Sequence, residues 1–204
     1  MAHDSRPNDV AWPGARWIEI DDLRLTRGEV TLRAARVDDA AGLFAVVDSD
    51  ECWRHVAGRP SSPDDLVRIV DGARVLGRHM WVVLRGNAIV GTTSFLDVSV
   101  IDARVEIGST MYARSEWGSN LNTVCKLLLM SHAFDALGMG RVQLKTDVRN
   151  MRSRAAIEKI GATREGVLRR YQRRADGTVR DTVMYSVVAE EWPVVREKLN
   201  SRLD

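Results

Sequence analysis

The chain has 204 residues, 45% apolar and 28% charged, enough to bury a sizeable core, so a single soluble domain is the expectation. Its 30 Lys and Arg against 28 Asp and Glu leave a formal charge of +2, too small a bias to imply nucleic acid or a membrane surface as partner. No apolar run approaches the roughly 20 residues of a membrane span. The first 16 residues hold His3, Asp4, Arg6 and Asp9, unlike a secretory signal, and Cys52 and Cys125 make no disulfide framework, which fits a cytoplasmic protein.

Residues 1–29, with Pro7, Pro13 and Gly14, read as an N-terminal extension ahead of a single domain over 30–204. "VTLRAAR" (30–36) alternates like a strand, and "DDAAGLFAVVD" (38–48) reads as a short helix. "SSPDDLVRIVDGARVLG" (61–77) is a helix with a serine cap, Pro63 in its first turn and aspartates near its positive end. "HMWVVLRG" (79–86) and "AIVGTTSFL" (88–96) are strands joined by a tight hairpin at Gly86-Asn87. "RVEIGSTMYA" (104–113) is a further strand. It leads into "WGSNLNTVCKLLLMSHAF" (117–134), where small polar residues give way to Val124, Leu127, Met130, Phe134 and then Leu137 at helical spacing. Strand "RVQLKTDV" (141–148), helix "NMRSRAAIEKIG" (150–161) with its glycine stop, a hairpin turning at Asp176-Gly177, and helix "EEWPVVREKL" complete the chain. The order predicts an α/β (α+β) fold around a mixed sheet, antiparallel early, with one strand–helix–strand–helix unit in the middle.

Two readings stand for the start of the 117–134 segment. Asn and Thr are good caps, and every buried helix needs a beginning. A strand–loop–helix of small residues also leaves backbone N–H groups open, which with the helix dipole suits a phosphate. The usual dinucleotide and mononucleotide glycine fingerprints are absent.

The order of four stretches separates these readings. "VEIGSTMYA", "WGSNLNTVCKLLLMSHAF", "RVQLKTDVRNMRSRAAIEKIGATREGVLRR" and "DGTVRDTVMYSVVAEEW" together resemble the GNAT superfamily of acyl-CoA-dependent N-acyltransferases, within it the RimJ/RimL-like branch. The resemblance covers residues 30–188. It implies a GNAT fold, with a central sheet largely antiparallel, one parallel strand pair splayed around CoA, and helices on both faces. Acetyl-CoA or another acyl-CoA would be the cosubstrate, with no metal. The acyl group, acetyl or succinyl, would pass to a primary amine by direct attack in a ternary complex. A protein N-terminus, a lysine, an aminoglycoside or a small amine would all serve as acceptor. A catalytically weak acyl-CoA-binding or regulatory module is the alternative. Relatives in this branch often pair as homodimers through late strands and the terminal hairpin; no membrane or nucleic-acid partner is expected.

The same resemblance assigns residues. The superfamily's pyrophosphate loop, Gln/Arg-x-x-Gly-x-Gly/Ala, falls on residues 117–122, so Trp117 replaces the basic or amide residue, Asn120 the central glycine and Asn122 the last small residue. Asn tolerates positive φ, which would preserve the loop's shape. Trp117, Gly118, Ser119, Asn120, Leu121, Asn122 and Thr123 are thus the expected CoA loop, joined by Met111, Tyr112, Asn150 and Ser153. Glu106 lies between Val105 and Ile107 and points to the opposite strand face; the resemblance makes it the general base, touching the acceptor amine. Ser153 is the candidate acid for the departing thiolate, and the backbone near Met111, where the family's strand bulges, the donor to the thioester carbonyl. Trp53 and Trp81 are expected to line the acceptor pocket.

Other groups promise less. Cys125 and His132 lie about two helical turns apart, too far for a nucleophile–base bond. His3, His55, His79 and His132 lack ligand spacing, so no metal is expected. Arg169, Arg170, Arg173 and Arg174 read as the outer face of a strand, interleaved with Glu165 and Asp176.

Overall fold

The computed structural model describes residues 11–203. Its strands are β1 (Arg24–Arg27), β2 (Val30–Ala34), β3 (His79–Arg85), β4 (Ala88–Ser99), β5 (Arg104–Tyr112), β6 (Arg141–Asp147), β7 (Thr163–Arg173) and β8 (Val179–Val188). They form one sheet in the order β1-β2-β3-β4-β5-β6-β8-β7. Every neighbouring pair is antiparallel except β5 and β6, as the sequence led one to expect.

Strand β1 lies inside the stretch read as an extension. It pairs with β2 from Arg24↔Arg33 to Arg27↔Val30, turning at Gly28, whose φ is +55°. "RLTR" carries one apolar residue and no clean alternation, so only its partner reveals it as a strand. The segment before it is tied down: Trp12 Nε1 donates to the Ile101 carbonyl, and the Arg16 amide to that of Leu137. Trp17 packs against the His79 and Phe95 rings, and Ile20 is buried.

Period-two alternation along β3 assigns its two faces. Trp81 and Val83 join the larger core, with α4 (Leu121–Ser131), α5 (Met151–Ile160) and α6 (Trp192–Asn200). Met80 and Val82 join a second cluster with Leu43 of α1 (Ala40–Val47) and Leu66 of α3 (Pro63–Gly72). Helices therefore cover both faces. Each fully buried Leu or Met contributes roughly 1.5–3 kcal/mol of apolar transfer.

Helix limits follow local chemistry. Ser62 Oγ accepts the Asp65 amide and Pro63 opens α3, which ends at Gly72, short of the expected 77. α5 stops at Gly161 with φ +105°. α4 runs into one widened π turn, His132–Ala136. A short helix the sequence reading lacked, α2 (Asp50–Trp53), starts where Ser49 accepts the Cys52 amide.

The feature that positions the site is the parallel joint. β5 and β6 pair at Arg104↔Arg141, Val105↔Val142 and Glu106↔Gln143, and no further. β5 continues to Tyr112 on one side; on the other β6 continues to Asp147, paired with β8. The sheet therefore parts just beyond Glu106.

Candidate active site

The parting opens a cleft of about 660 Å³ lined by β5, β6, the starts of α4 and α5, and residues following α2. Glu106 stands at its inner end. Val105 and Ile107 sit in the core, so strand parity turns the Glu106 side chain toward the cleft, where the residue is only 2% exposed. Lys145 Nζ of β6 lies 2.7 Å from its Oε2. Burial pushes the Glu106 carboxyl above the ordinary range, and the Lys145 ammonium opposes that rise. Lys145 also sits over the Tyr171 ring, 5.3 Å from its centroid. Gly108 makes room: a Cβ there would lie 2.8 Å from Glu106 Oε1 and 2.7 Å from Leu96 Cδ1.

Beyond Glu106 the β5 strand bulges. Its register with β4 slips between Gly108 and Met111, and Ser109 adopts φ +48°, a left-handed conformation uncommon for a residue with a Cβ. Met111 and Tyr112 line the cleft there, and the Tyr112 hydroxyl donates to Asn122 Oδ1. Thr110 Oγ1 meets Thr93 Oγ1 at 2.8 Å and accepts from Lys126 Nζ at 3.0 Å. Lys126 reaches this point from α4; it is 4% exposed and has no carboxylate partner among the described residues. Burial lowers its pKa to about 8.

The loop before α4 takes its shape from Gly118, with φ +84°. Asn120 sits at φ −77°, ψ −4°, so the positive φ expected at 120 falls two residues earlier. Asn120 is the N-cap residue, yet its side chain makes no cap bond, leaving the Asn122 and Thr123 amides of the first turn without a side-chain cap. Ser119 Oγ accepts the Leu121 amide and donates to Glu116. Trp117, Gly118, Ser119 and Asn122 line the cleft. Asn120, Leu121 and Thr123 do not have side chains on it; Leu121 is fully buried in the core and its amide is already engaged.

Across the parting, Asn150 Oδ1 caps α5 by accepting the Ser153 amide at 3.0 Å, and both residues line the cleft. The two tryptophans expected at the acceptor pocket lie elsewhere. Trp53 uses its indole N–H to hold the Val47 carbonyl at the end of α1, and Cys52, His55 and Val56 reach the cleft instead. Trp81 is fully buried, edge-on to Phe95, on the α4 face of β3. Cys125 and His132 are core residues, and Arg174 pairs with buried Asp147 instead of facing solvent with its neighbours. Among the described residues no group of three or more metal-ligating side chains occurs, and no helix is long and apolar enough to cross a membrane.

Lys126, Lys145 and Arg152 were not anticipated. Lys126 alone left a trace, as the one charge within the apolar run "VCKLLLM". Lys145 and Arg152 matter only through neighbours brought across the parting.

A sheet opened along a single parallel joint, with uncapped helix amides on one side of the gap and a buried carboxylate at its inner end, is built to receive an acylated carrier and an amine: an acyl-CoA-dependent N-acetyltransferase. Comparison with known proteins agrees, and the chain belongs to the GNAT acetyltransferase family, whose domain matches residues 29–163. "Uncharacterized N-acetyltransferase p20" of Bacillus licheniformis is 24% identical over 170 residues, 80% of this chain and 94% of that protein. A solved protein of T. thermophilus, itself only provisionally called an acetyltransferase, is 36% identical, covers 93% of this chain and 99% of its own, and superposes with a TM-score of 0.82. Mycobacterium smegmatis RimJ, solved in complex with CoA-disulfide, shares the fold at 24% identity and TM-score 0.74, over 85% of this chain and 88% of its own.

Proposed function

We propose that the cleft transfers an acetyl group from acetyl-CoA directly to a primary amine, with Glu106 as general base and Ser153 as general acid. One observation carries the assignment: the Glu106 carboxylate is buried in the cleft where β5 and β6 part, and burial raises its pKa toward the range a base needs. The residues present suit acyl-CoA. The open first-turn amides of α4 and the turn at Gly118 offer donors for its diphosphate. The parted strands leave backbone groups for its pantetheine amides.

Acetyl-CoA supplies an activated thioester with a good leaving group. Glu106 accepts the proton of the incoming amine. Lys145 fixes the carboxylate and opposes the rise in its pKa that burial causes. The β5 bulge presents backbone near Met111 to the thioester carbonyl, and Ser153, in the first turn of α5, returns a proton to the departing sulfur. The protein works in the cytoplasm as a homodimer, for which Val167, Leu168 and Tyr171, exposed on edge strand β7, provide apolar surface. A monomer mass by light scattering would remove the dimer.

The decisive experiment is Glu106→Gln. It keeps size and hydrogen bonding but removes proton acceptance, so kcat should fall by about 10²–10⁴-fold with CoA affinity nearly unchanged. The acidic limb of the wild-type pH profile should vanish as well. A fully active variant would overturn the assignment.

A further inference from the structure

We propose that Arg152, stacked on Trp117, supplies the positive charge that the loop before α4 lacks and grips the diphosphate of CoA. The inference rests on the reading of the cleft as an acyl-CoA site. Position 117 is where the superfamily's loop pattern carries a basic or amide residue, and a neutral indole stands there instead. The structure returns a cation to that place from the other side of the parting. Arg152 belongs to the first turn of α5, and its guanidinium carbon lies 3.5 Å from the centre of the Trp117 ring.

At that distance the guanidinium is held against the ring by its π face. Its N–H donors lie in the guanidinium plane, so stacking orients them without consuming them. No protein group consumes them either: Arg152 has no hydrogen bond and no carboxylate partner among the described residues. Its surroundings add positive charge. Desolvation where its head lies against Trp117, and then Arg114 and Arg54, hold Arg152 below the ordinary arginine value, though the residue as a whole is exposed. Arg114 also lies over Trp117, at 5.2 Å, but is paired with Glu51. The one acid of the loop, Glu116, is neutralised by Arg85 at 2.8 Å. An unpaired guanidinium beside like charges, lining the cleft with Trp117, Gly118 and Ser119, calls for an anion. The uncapped amides of Asn122 and Thr123 belong to the same turn and would share the anion with Arg152, which favours the diphosphate over the 3′-phosphate.

Calorimetric titration of the full chain with CoA, dephospho-CoA and pantetheine tests this. Arg152→Gln should weaken CoA and dephospho-CoA by about 10–100-fold, as expected for a lost charge-assisted bond, and leave pantetheine unchanged. In turnover assays the same variant should raise the KM for acetyl-CoA by a similar factor, a larger effect than any on kcat. Trp117→Leu, which removes the platform together with the indole bond to the Tyr112 carbonyl but leaves the guanidinium, should cost about 3–10-fold. The double variant Trp117→Arg/Arg152→Gln should regain most of the affinity, which no purely structural role for Arg152 would produce. Arg152 is exposed, so its replacement spares the fold. Unchanged CoA affinity in Arg152→Gln, with wild type binding CoA, would overturn the proposal. So would a penalty that disappears with dephospho-CoA, since the grip would then be on the 3′-phosphate. Wild type that bound no CoA at all would instead bring down the reading of the cleft.

Discussion

Replacing Lys126 with Met should make the protein more stable at neutral pH. The ammonium is 4% exposed, has one hydrogen bond to Thr110 at 3.0 Å, and has no carboxylate among the described residues to compensate its burial. Its pKa falls from 10.5 to about 8 on folding. Between those values the unfolded chain keeps a proton that the folded chain has released, so stability rises with pH across the window. A gap of that size corresponds to about 3 kcal/mol, withheld from the folded state at every pH below the window. Met occupies similar volume without charge, and Thr110 keeps its partner Thr93, so the substitution should recover about 1–3 kcal/mol at pH 7. The gain should shrink to about 1 kcal/mol by pH 10, where folded Lys126 has released its proton and the unfolded chain still holds most of its own, and approach zero only about one pH unit higher. Urea unfolding of both proteins at pH 7, 8.5 and 10 gives the difference curve. The difference is the proper readout because neighbouring Cys125 acts in the other direction. Burial raises its pKa from 9.0 to about 11, which removes stability as pH climbs through that range; the Lys126 ammonium pulls that pKa down, so its loss lets it rise further and the Cys125 contribution cancels only in part. A variant less stable than wild type by the same amount at all three pH values would refute the reasoning.

Lys145→Met should move the acidic limb of kcat/KM to higher pH. The ammonium favours ionised Glu106, so its loss raises the carboxyl pKa further and the base is withdrawn earlier as pH falls. A pH–rate profile with an unmoved limb would show that Glu106 is not the titrating base. Gly108→Ala should lower kcat at least about tenfold while CoA affinity stays within about threefold, since the new Cβ would meet Glu106 Oε1 at 2.8 Å and displace the carboxylate. Overpacking against Leu96 should also cost about 1–3 kcal/mol in thermal unfolding. Wild-type turnover in this variant would mean that the carboxylate's position is immaterial.

What could be read from the sequence was what repeats over several residues or stops abruptly. Strands β3 to β6 announced themselves by β-branched runs, the Gly86-Asn87 turn fixed one hairpin, and Gly161 ended α5 where expected. β1 and α2 are too short to carry a period, and each exists because a neighbour completes it: β2 for the first, the Ser49 cap for the second. Glu106 could be placed because parity against Val105 and Ile107 is local information. Trp81 could not, since parity says only that it shares a face with Val83, and which face carries the cleft is a property of the whole sheet. The partners of Glu106 and Trp117 were hidden for the same reason. Lys145 and Arg152 follow the crossover helix α4, and only the return of the chain as β6 and α5 sets them opposite β5 and its loop.

The joint at Arg104, Val105 and Glu106 also sets where this sheet can yield. β3 and β4 are laddered along nearly their whole length, and so are β6 and β8, so each half of the sheet resists shear as a plate does. Across the joint the backbone ladder is short and lies at one end, giving the two plates the compliance of a jaw that pivots at its corner. A small rotation there would change the width of the gap while leaving the other ladders unbroken. The Arg152–Trp117 contact bridges the gap beyond that pivot, from the first turn of α5 to the loop that follows β5. A contact so placed would resist widening of the gap, so its loss should loosen the jaw more than the loss of a comparable contact beside the joint.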